Sequence, residues 1–191
     1  MQKILLIICT IVCHNSIAQN IKTKPVFKSI NSFGTAWGSS QNVTIFETIN
    51  GVSYKKWSVG LGVAFDGYGQ QSTPVFLDVR KTINKKSNLF VYADAGLNIP
   101  WRTTNFPKNY EGTNTAAFTL KNTFYGEVGI GLKTPLNTSS FLFASIGYSY
   151  KTFSYQQHNI NRWWGVPANF DKSEEFEFYY KRIALRLGVE F

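Results

Sequence analysis

Sulfur and imidazole groups are scarce in this sequence. Among its 191 residues there are two cysteines, two histidines and one methionine. Cys9 and Cys13 lie in an N-terminal apolar run that we expect to be removed, so we predict neither a disulfide nor a cysteine metal site in the remaining chain. Outside the N-terminal segment the sequence has one histidine, His158, which is too few for a histidine metal centre. We therefore expect no metal and no cofactor.

Charged residues are also scarce, at 16% of the chain, compared with about 25% in typical soluble domains. They are unbalanced, because 20 Lys and Arg stand against 11 Asp and Glu, a formal net charge of +9. The lysines form no single stripe and the chain is predicted to be exported, so we expect no nucleic-acid partner. The apolar fraction of 43% excludes a disordered chain, and the length fits one domain.

The N-terminal segment has the features of a secretory signal peptide. Lys3 supplies a positive charge, residues 4–13 are apolar, and Ser16 and Ala18 place small residues before a cleavage point. We predict a signal peptide over residues 1–18 and one domain over residues 19–191. No later run approaches the roughly 18 apolar residues of a membrane helix, so a membrane location would require a barrel.

The rest of the sequence alternates with a period of two, which predicts strands. In residues 57–66, bulky apolar side chains alternate with serine, glycine, alanine and aspartate, and residues 183–191 repeat the pattern. We predict seven strands from such alternation: residues 42–49, 53–66, 74–83, 88–100, 122–134, 140–153 and 177–191. Because a single-chain bacterial barrel has an even number of strands, we place an eighth over residues 26–38.

The bulky faces are nearly free of charge, whereas the opposite faces carry glycine and ions. In a soluble sandwich or lipocalin-like binder the bulky faces would form the core, but glycine weakens solvated strands. Inside a narrow barrel, small residues relieve crowding. The sequence therefore favours an all-β, eight-stranded antiparallel outer-membrane barrel with a paired charge network in its lumen: Asp66, Asp78, Arg80, Asp94, Glu127, Lys133, Arg186 and Glu190.

Two classes of connection alternate along the predicted strands. Asn50-Gly51, residues 84–87 and residues 135–139 are short turns, whereas residues 101–121 and 154–176 are long loops. Short turns belong to the periplasmic side of such barrels and long loops to the outside. With a turn at Asn50-Gly51, Glu47 would face lipid, so we expect a bulge or a position near the interface there.

Several segments carry a resemblance to a known family: W-S-V-G-L-G-V-A-F-D, P-V-F-L-D-V-R, V-Y-A-D-A-G-L and the terminal R-L-G-V-E-F. Together with the leader they resemble the small outer-membrane β-barrel proteins of Gram-negative bacteria. The resemblance implies residence in the outer membrane and insertion by the outer-membrane assembly machinery, with Phe191 ending the strand that serves as the signal. It implies no activity. We expect contacts with outer-membrane lipid and lipopolysaccharide, and a monomer.

Aromatic residues are dense in the two predicted long loops, where they indicate either a contact surface or a plug over the barrel. They include Trp101, Tyr110, Trp163, Trp164 and Phe170. Lysines at the predicted periplasmic end, among them Lys28, Lys55 and Lys81, could attract anionic phospholipid headgroups, and others such as Lys151 could attract lipopolysaccharide phosphates. A plain solvated surface is the simpler interpretation of these lysines.

Recognisable catalytic motifs are missing, and the leading prediction is a noncatalytic envelope or surface role. One enzymatic alternative is a lipid A hydrolase at the membrane rim that uses His158, Ser154 and Glu174, since a serine needs a base within reach. Its H-x-S spacing is absent because Ile160 occupies the serine position, and a solvated loop histidine is the simpler interpretation. A binder or conduit of a small hydrophobic molecule is a further alternative.

Overall fold

The computed structural model describes residues 24–38, 42–68, 71–84, 88–102, 114–161 and 172–191. No helix in these ranges is long and apolar enough to cross a membrane. Their strands are β1 (Val26–Gly38), β2 (Asn42–Tyr54), β3 (Trp57–Asp66), β4 (Gln71–Asn84), β5 (Leu89–Arg102), β6 (Asn114–Lys121), β7 (Thr123–Pro135), β8 (Phe141–Asn161) and β9 (Lys172–Glu190).

β6 and β7 are two parts of one wall strand. Both pair with β8, with Lys121 opposite Ser154 and Tyr125 opposite Lys151, so the chain changes register near Asn122. The wall runs in the order β1-β2-β3-β4-β5-β7-β8-β9, and β1 pairs with β9 to close it. The predicted eight-stranded antiparallel barrel is confirmed, including the first strand that was placed by parity.

The wall exposes its apolar side chains and buries its charges. On β3, Leu61 is 68% exposed, whereas Asp66 on the alternate face is 1% exposed. Water-soluble proteins have the reverse distribution, but a barrel in lipid needs an apolar outer band and a polar interior. The lipid-facing interpretation of the bulky faces therefore replaces the soluble sandwich, in which those faces would form the core.

The turn between β2 and β3 is not where the sequence placed it. Asn50 and Gly51 lie within β2, and the turn is formed by Lys55 and Lys56, because Tyr54 pairs with Trp57. The predicted Asn50-Gly51 turn was therefore wrong. Asn-Gly is a strong signal for a two-residue hairpin, but here the extended pairing of β2 with both β1 and β3 outweighs it.

This shift reverses which face of β2 meets lipid. Glu47 is 6% exposed and lies in the lumen, flanked by the buried Ile45 and Ile49, whereas Phe46 is 56% exposed. The expectation that Glu47 faces lipid was wrong, because a strand's side chains change face with every single-residue shift of register. The register between β2 and its neighbours contains no bulge.

Glycines on the inner face make room for aromatic rings. A Cβ atom at Gly62 would lie 2.3 Å from the Phe76 ring, and one at Gly129 would lie 2.5 Å from the Tyr92 ring. Phe76 in turn packs at 5.3 Å between ring centroids on Tyr125. The lumen is thus filled by side chains, as expected for a narrow barrel.

Three strands continue beyond the rest of the wall at one end. Residues 114–121, 154–161 and 172–177 pair as one sheet, which we call the extension, with β8 between β6 and β9. The sequence analysis assigned residues 114–121, 154–161 and 172–176 to two loops, which was wrong over these ranges. Backbone pairing continues there although the apolar alternation fades.

The opposite end of the barrel, which we call the turn end, carries the Lys55-Lys56 turn and the predicted turn after Pro135. In the latter, Asn137 Oδ1 accepts a hydrogen bond from Ser140 N at 2.7 Å.

Candidate functional site

Twelve charged side chains line the lumen among the described residues, and each is at most 11% exposed. Six are acidic and six are basic, so their formal charges cancel. Burying an ion is costly unless a partner compensates it. They are Glu47, Asp66, Asp78, Asp94, Glu127 and Glu190, and Lys28, Arg80, Lys133, Lys151, Arg182 and Arg186.

The layer nearest the turn end is centred on Glu190 of β9. Its carboxylate pairs with Lys28 Nζ at 2.9 Å and with Lys133 Nζ at 2.7 Å. Lys28 also donates to Ser58 Oγ at 3.2 Å. One carboxylate thus links three strands of the wall. A cavity beside Lys28 and Ser58 has a volume of about 10 Å³, which is about the space that one water occupies.

The middle layer is centred on two arginines. Arg186 donates to both carboxylate oxygens of Glu127, with Nη2 to Oε2 at 2.7 Å, and its Nε lies 3.3 Å from Glu47 Oε2. Arg80 Nε donates to Asp78 Oδ2 at 2.8 Å, and its Nη2 lies 3.7 Å from Glu47 Oε1. Glu47 therefore bridges the two arginines. Bidentate arginine–carboxylate pairs are among the strongest hydrogen-bonded pairs in proteins.

Aromatic groups surround this layer and complete its hydrogen bonds. Tyr92 Oη donates to Glu127 at 2.7 Å and Tyr125 Oη donates at 3.1 Å. The Arg80 guanidinium lies 5.3 to 5.6 Å from the ring centroids of Tyr92, Phe90 and Phe143, within the range of cation–π attraction. These side chains are almost fully buried, so among the described residues they fill the lumen at this layer.

The layer nearest the extension is centred on Asp66. Arg182 Nη1 lies 2.5 Å from its carboxylate and Lys151 Nζ lies 3.3 Å from it. Lys151 also donates to the carbonyl of Tyr68 at 2.8 Å. The Tyr68 ring is fully buried and lies 5.3 Å from the Arg182 guanidinium, so it packs on this layer. The lumen is closed there as well.

The structure places all eight predicted lumen residues on the inner face, and it adds four that the sequence interpretation assigned elsewhere or did not consider. Lys28 and Lys151 were placed at the two ends of the barrel, facing solvent or headgroups; this placement was wrong, because both are buried and ion-paired inside the barrel. Arg182 was not considered, although it alternates with Arg186 in the sequence. Glu47 was missed because of the misplaced turn.

Neither oxygen of Asp94, which lies opposite Asp78, has a hydrogen-bond partner among the described residues.

Above the charged layers, the inner face of the extension carries a ladder of aromatic rings. Tyr155 stacks on Phe176 at 5.1 Å and on Phe178 at 6.0 Å between centroids, with interplanar angles of 22° and 16°. Phe153 packs beside Phe178 at 6.3 Å. Phe176 and Phe178 are 36% and 42% exposed. We call these four residues the aromatic ladder.

The outer face of the same hairpin carries a small polar cluster. Glu175 accepts hydrogen bonds from Lys121 Nζ at 2.7 Å and from Ser154 Oγ at 3.0 Å. These hydrogen bonds hold the pKa of the Glu175 carboxyl below its usual value. Lys121 and Glu175 are each about two-fifths exposed, so water screens their attraction and the pair contributes little to stability.

Of the residues of the hydrolase alternative, Ser154 has a described side chain, whereas those of His158 and Glu174 lie outside the described part. Ser154 and His158 lie four residues apart on the extended strand β8, which corresponds to about 13 Å along a strand. The register pairs His158 with Ser173 and Glu174 with Gln157. The Ser154 hydroxyl is instead bonded to Glu175. No group of three or more His, Cys, Asp or Glu that could hold a metal occurs among the described residues.

Of the predicted loop aromatics, Trp101 lies at the end of β5 and is 50% exposed, with its ring 5.8 Å from that of Phe65. Tyr110, Trp163, Trp164 and Phe170 lie outside the described residues, as does the predicted signal peptide. The aromatic ladder was not singled out from the sequence, apart from counting aromatic residues in the second loop. Its signal is the spacing of Phe153 and Tyr155, and of Phe176 and Phe178, at every second residue.

The outer wall also has an apolar depression of about 410 Å³ across β7 and β8. It forms at the small, outward-facing side chain of Ala144, which lies between larger neighbours. It faces the same direction as the exposed leucines of the wall, so lipid chains cover it in the membrane. The residues around it are Leu89, Ile130, Leu132, Ser145, Ile146 and Leu185.

Comparison with known proteins supports the fold. No family model matches this chain, and no curated protein matches it. Outer membrane protein OprG from Pseudomonas aeruginosa is similar over 86% of this chain and 95% of its own, with 13% identity and a TM-score of 0.51. Outer membrane protein AlkL is similar over 92% of this chain and 96% of its own, with 13% identity and a TM-score of 0.48. The N-terminal β-barrel domain of P. aeruginosa OprF is similar over 86% of this chain and 97% of its own, with 16% identity and a TM-score of 0.47.

The outer surface of the wall and the fold together indicate where this protein resides. The wall is apolar outside and charged inside, and the fold is that of small outer-membrane barrels. This protein is therefore an outer-membrane β-barrel protein.

Proposed function

We propose that this protein is a noncatalytic outer-membrane barrel whose extension forms a contact surface outside the cell. The observation that carries the proposal is the aromatic ladder: stacked and partly exposed rings stand on an ordered sheet directly above a closed lumen. A protein built to pass solutes through its centre would need an open path, whereas the charged layers fill this one.

The orientation follows from the connections. The turns after β2 and β7 are short, whereas β5 and β6 are separated in the sequence by residues 103–113, and β8 and β9 by residues 162–171. β6 begins and β8 ends in the extension. Outer-membrane barrels have short periplasmic turns and longer extracellular loops. We therefore assign the turn end to the periplasm and the extension to the cell exterior.

The ladder has the physical properties of a recognition surface. Aromatic rings present a large contact area with little conformational entropy to lose, and aromatic residues are enriched among the side chains that dominate binding energy. The rings are held by backbone pairing of β8 with β9, so the surface is preorganised. The partners that this surface suits are the sugars of lipopolysaccharide, another glycan or a protein.

A second candidate function is the binding of a small apolar molecule. The same face leads inward from Phe178 to Tyr180, which packs edge to face on Tyr68 at 5.6 Å. Such a continuous line of rings could hold an apolar ligand above the Asp66 layer. Passage through the barrel would additionally require the charged layers to separate.

The two candidates can be separated with purified protein in detergent. We would titrate wild type with rough lipopolysaccharide and with an apolar naphthylamine dye, and repeat both with the double variant Phe176→Ser/Phe178→Ser. The matched control is Tyr150→Ser/Tyr179→Ser, which removes a stacked pair from the opposite face of the hairpin. Loss of two exposed contact rings should weaken binding about tenfold or more, since a dominant contact contributes about 2 kcal/mol.

Each result has one meaning. Weaker lipopolysaccharide binding by the ladder variant but not by the control supports a contact surface, and weaker dye binding alone supports the apolar-ligand function. Equal binding of both probes by all three proteins contradicts the assignment of the ladder. A change in lipid A acylation caused by His158→Ala in cells would contradict a noncatalytic role.

A further inference from the structure

The excess positive charge of this protein is concentrated at the turn end. Six of the 20 basic and six of the 11 acidic side chains lie in the lumen, which leaves fourteen basic and five acidic elsewhere. Of the five remaining acids, Glu174, Glu175 and Glu177 lie on β9 in the extension, whereas Glu111 and Asp171 lie outside the described residues. Among the described residues, the turn end therefore has lysines but no acidic residue outside the lumen.

Two of these lysines form the tip of the β2–β3 hairpin. Lys55 has a φ of 58°, in the left-handed region that glycine or asparagine usually occupies in such turns. The carbonyl of Lys56 accepts a hydrogen bond from Thr82 N at 2.8 Å, which fixes the tip against β4 next to Lys81. Because the turn lies at Lys55-Lys56 and Trp57 pairs with Lys81, these three lysines lie together.

Aromatic rings hold two of these ammonium groups at the surface. Lys55 Nζ lies 5.3 Å from the centroid of the Tyr54 ring, and Lys81 Nζ lies 4.8 Å from that of Trp57. All four side chains are exposed. None of the ion pairs of the described residues involves Lys55, Lys56 or Lys81. Tryptophan and tyrosine concentrate at the level of lipid headgroups, so the lysines are placed where phosphates lie.

We propose that Lys55, Lys56 and Lys81 form a binding site for the phosphate of an anionic phospholipid in the periplasmic leaflet, with Tyr54 and Trp57 packing against the lipid beside it. The site depends on the proposed orientation but not on the function of the aromatic ladder. Its charge complements a phosphodiester, and the lysines have no competing carboxylate partner among the described residues.

The test measures which lipids stay on the purified barrel. Wild type is incorporated into bilayer discs containing equal amounts of phosphatidylglycerol and phosphatidylcholine, and the lipids retained after mild detergent extraction are counted by native mass spectrometry. The variant is Lys55→Asn/Lys56→Gln/Lys81→Gln, in which asparagine suits the left-handed position. The control, Lys121→Gln/Lys172→Gln/Lys181→Gln, removes the same charge from the other end.

We expect wild type and control to retain phosphatidylglycerol in preference to phosphatidylcholine. In the variant, the ratio of retained phosphatidylglycerol to phosphatidylcholine should fall at least about fivefold, because one lysine near an anionic surface changes the affinity for anionic lipid by about that factor. Raising the salt concentration from about 0.1 M to about 1 M should weaken the wild-type preference, because the Debye length falls from about 10 Å to about 3 Å.

Three results would overturn the proposal. The first is a folded variant with the wild-type preference, and the second is an equal loss in the control. The third is displacement of the retained lipid by soluble glycerol phosphate, which would mean that the site binds phosphate without requiring a lipid. If the triple variant does not fold, as judged by its mobility in unheated gels, the single variants Lys56→Gln and Lys81→Gln are judged by the same criterion.

Discussion

Replacing Arg186 with methionine tests whether charge pairing stabilises the barrel interior. Arg186 compensates both Glu127 and Glu47, and removing one partner of a buried pair costs about 3 to 5 kcal/mol. Glu127 would keep the hydroxyl donors of Tyr92 and Tyr125. We therefore expect a loss at the lower end, about 3 kcal/mol, which lowers the folding equilibrium constant by roughly a hundredfold.

The assay is urea unfolding in lipid vesicles, followed by tryptophan fluorescence and by gel mobility. Lys181→Met removes a charge from an exposed position of the same strand and should change stability by less than about 1 kcal/mol. Asp94→Asn removes a buried carboxylate that lies opposite Asp78, and its stability should be equal to or above that of wild type, because like charges directly opposite each other are destabilising. An Arg186→Met barrel as stable as the Lys181→Met barrel would refute the role of the network.

Three further predictions concern the wall and the extension. Leu61→Arg should cost about 2 to 4 kcal/mol in vesicle unfolding, because Leu61 faces lipid near the middle of β3; a neutral effect would contradict a membrane-embedded wall. Gly62→Ala should cost about 1 to 3 kcal/mol by overpacking, whereas Gly67→Ala, with nothing within 4 Å of its Cβ position, should be neutral. An NMR titration should give the Glu175 carboxyl a pKa below the usual glutamate value, and Lys121→Met should raise that pKa. The stabilisation from this pair is fully present above the usual glutamate pKa, and it is lost as the pH falls through the lowered pKa of Glu175.

The sequence predicted the barrel well because one rule, alternation against lipid, acts on nearly every residue of the wall. On β3 the rule is strict, and each side chain of residues 57–66 lies on its predicted face. The even number of strands in such barrels then predicted β1, whose own alternation is weak. Neither the alternation nor the even strand number depends on the details of side-chain packing.

The position of the β2–β3 turn and the face on which Glu47 lies depended on the register of β2, which the sequence constrains only weakly. Asn50-Gly51 is a better turn by local chemistry than Lys55-Lys56, yet the pairing of β2 with both neighbours continues past it. That displacement hid the place of Glu47 in the lumen. The extension was missed for a different reason: on β8 and β9 its aromatic rings lie on the inner face and its outer face is polar, which reverses the pattern that identified the wall strands.

The last strand of the barrel takes part in every charged layer. β9 supplies Glu190 to Lys28 and Lys133, Arg186 to the middle layer, and Arg182 to Asp66, and it also closes the wall against β1. A chain that has formed all other strands still holds carboxylates and lysines without these partners, so such an intermediate must keep its interior hydrated. Closure of the seam and expulsion of water from the lumen are therefore expected to occur as a single cooperative event, late in assembly and slow because β1 and β9 are far apart in the sequence.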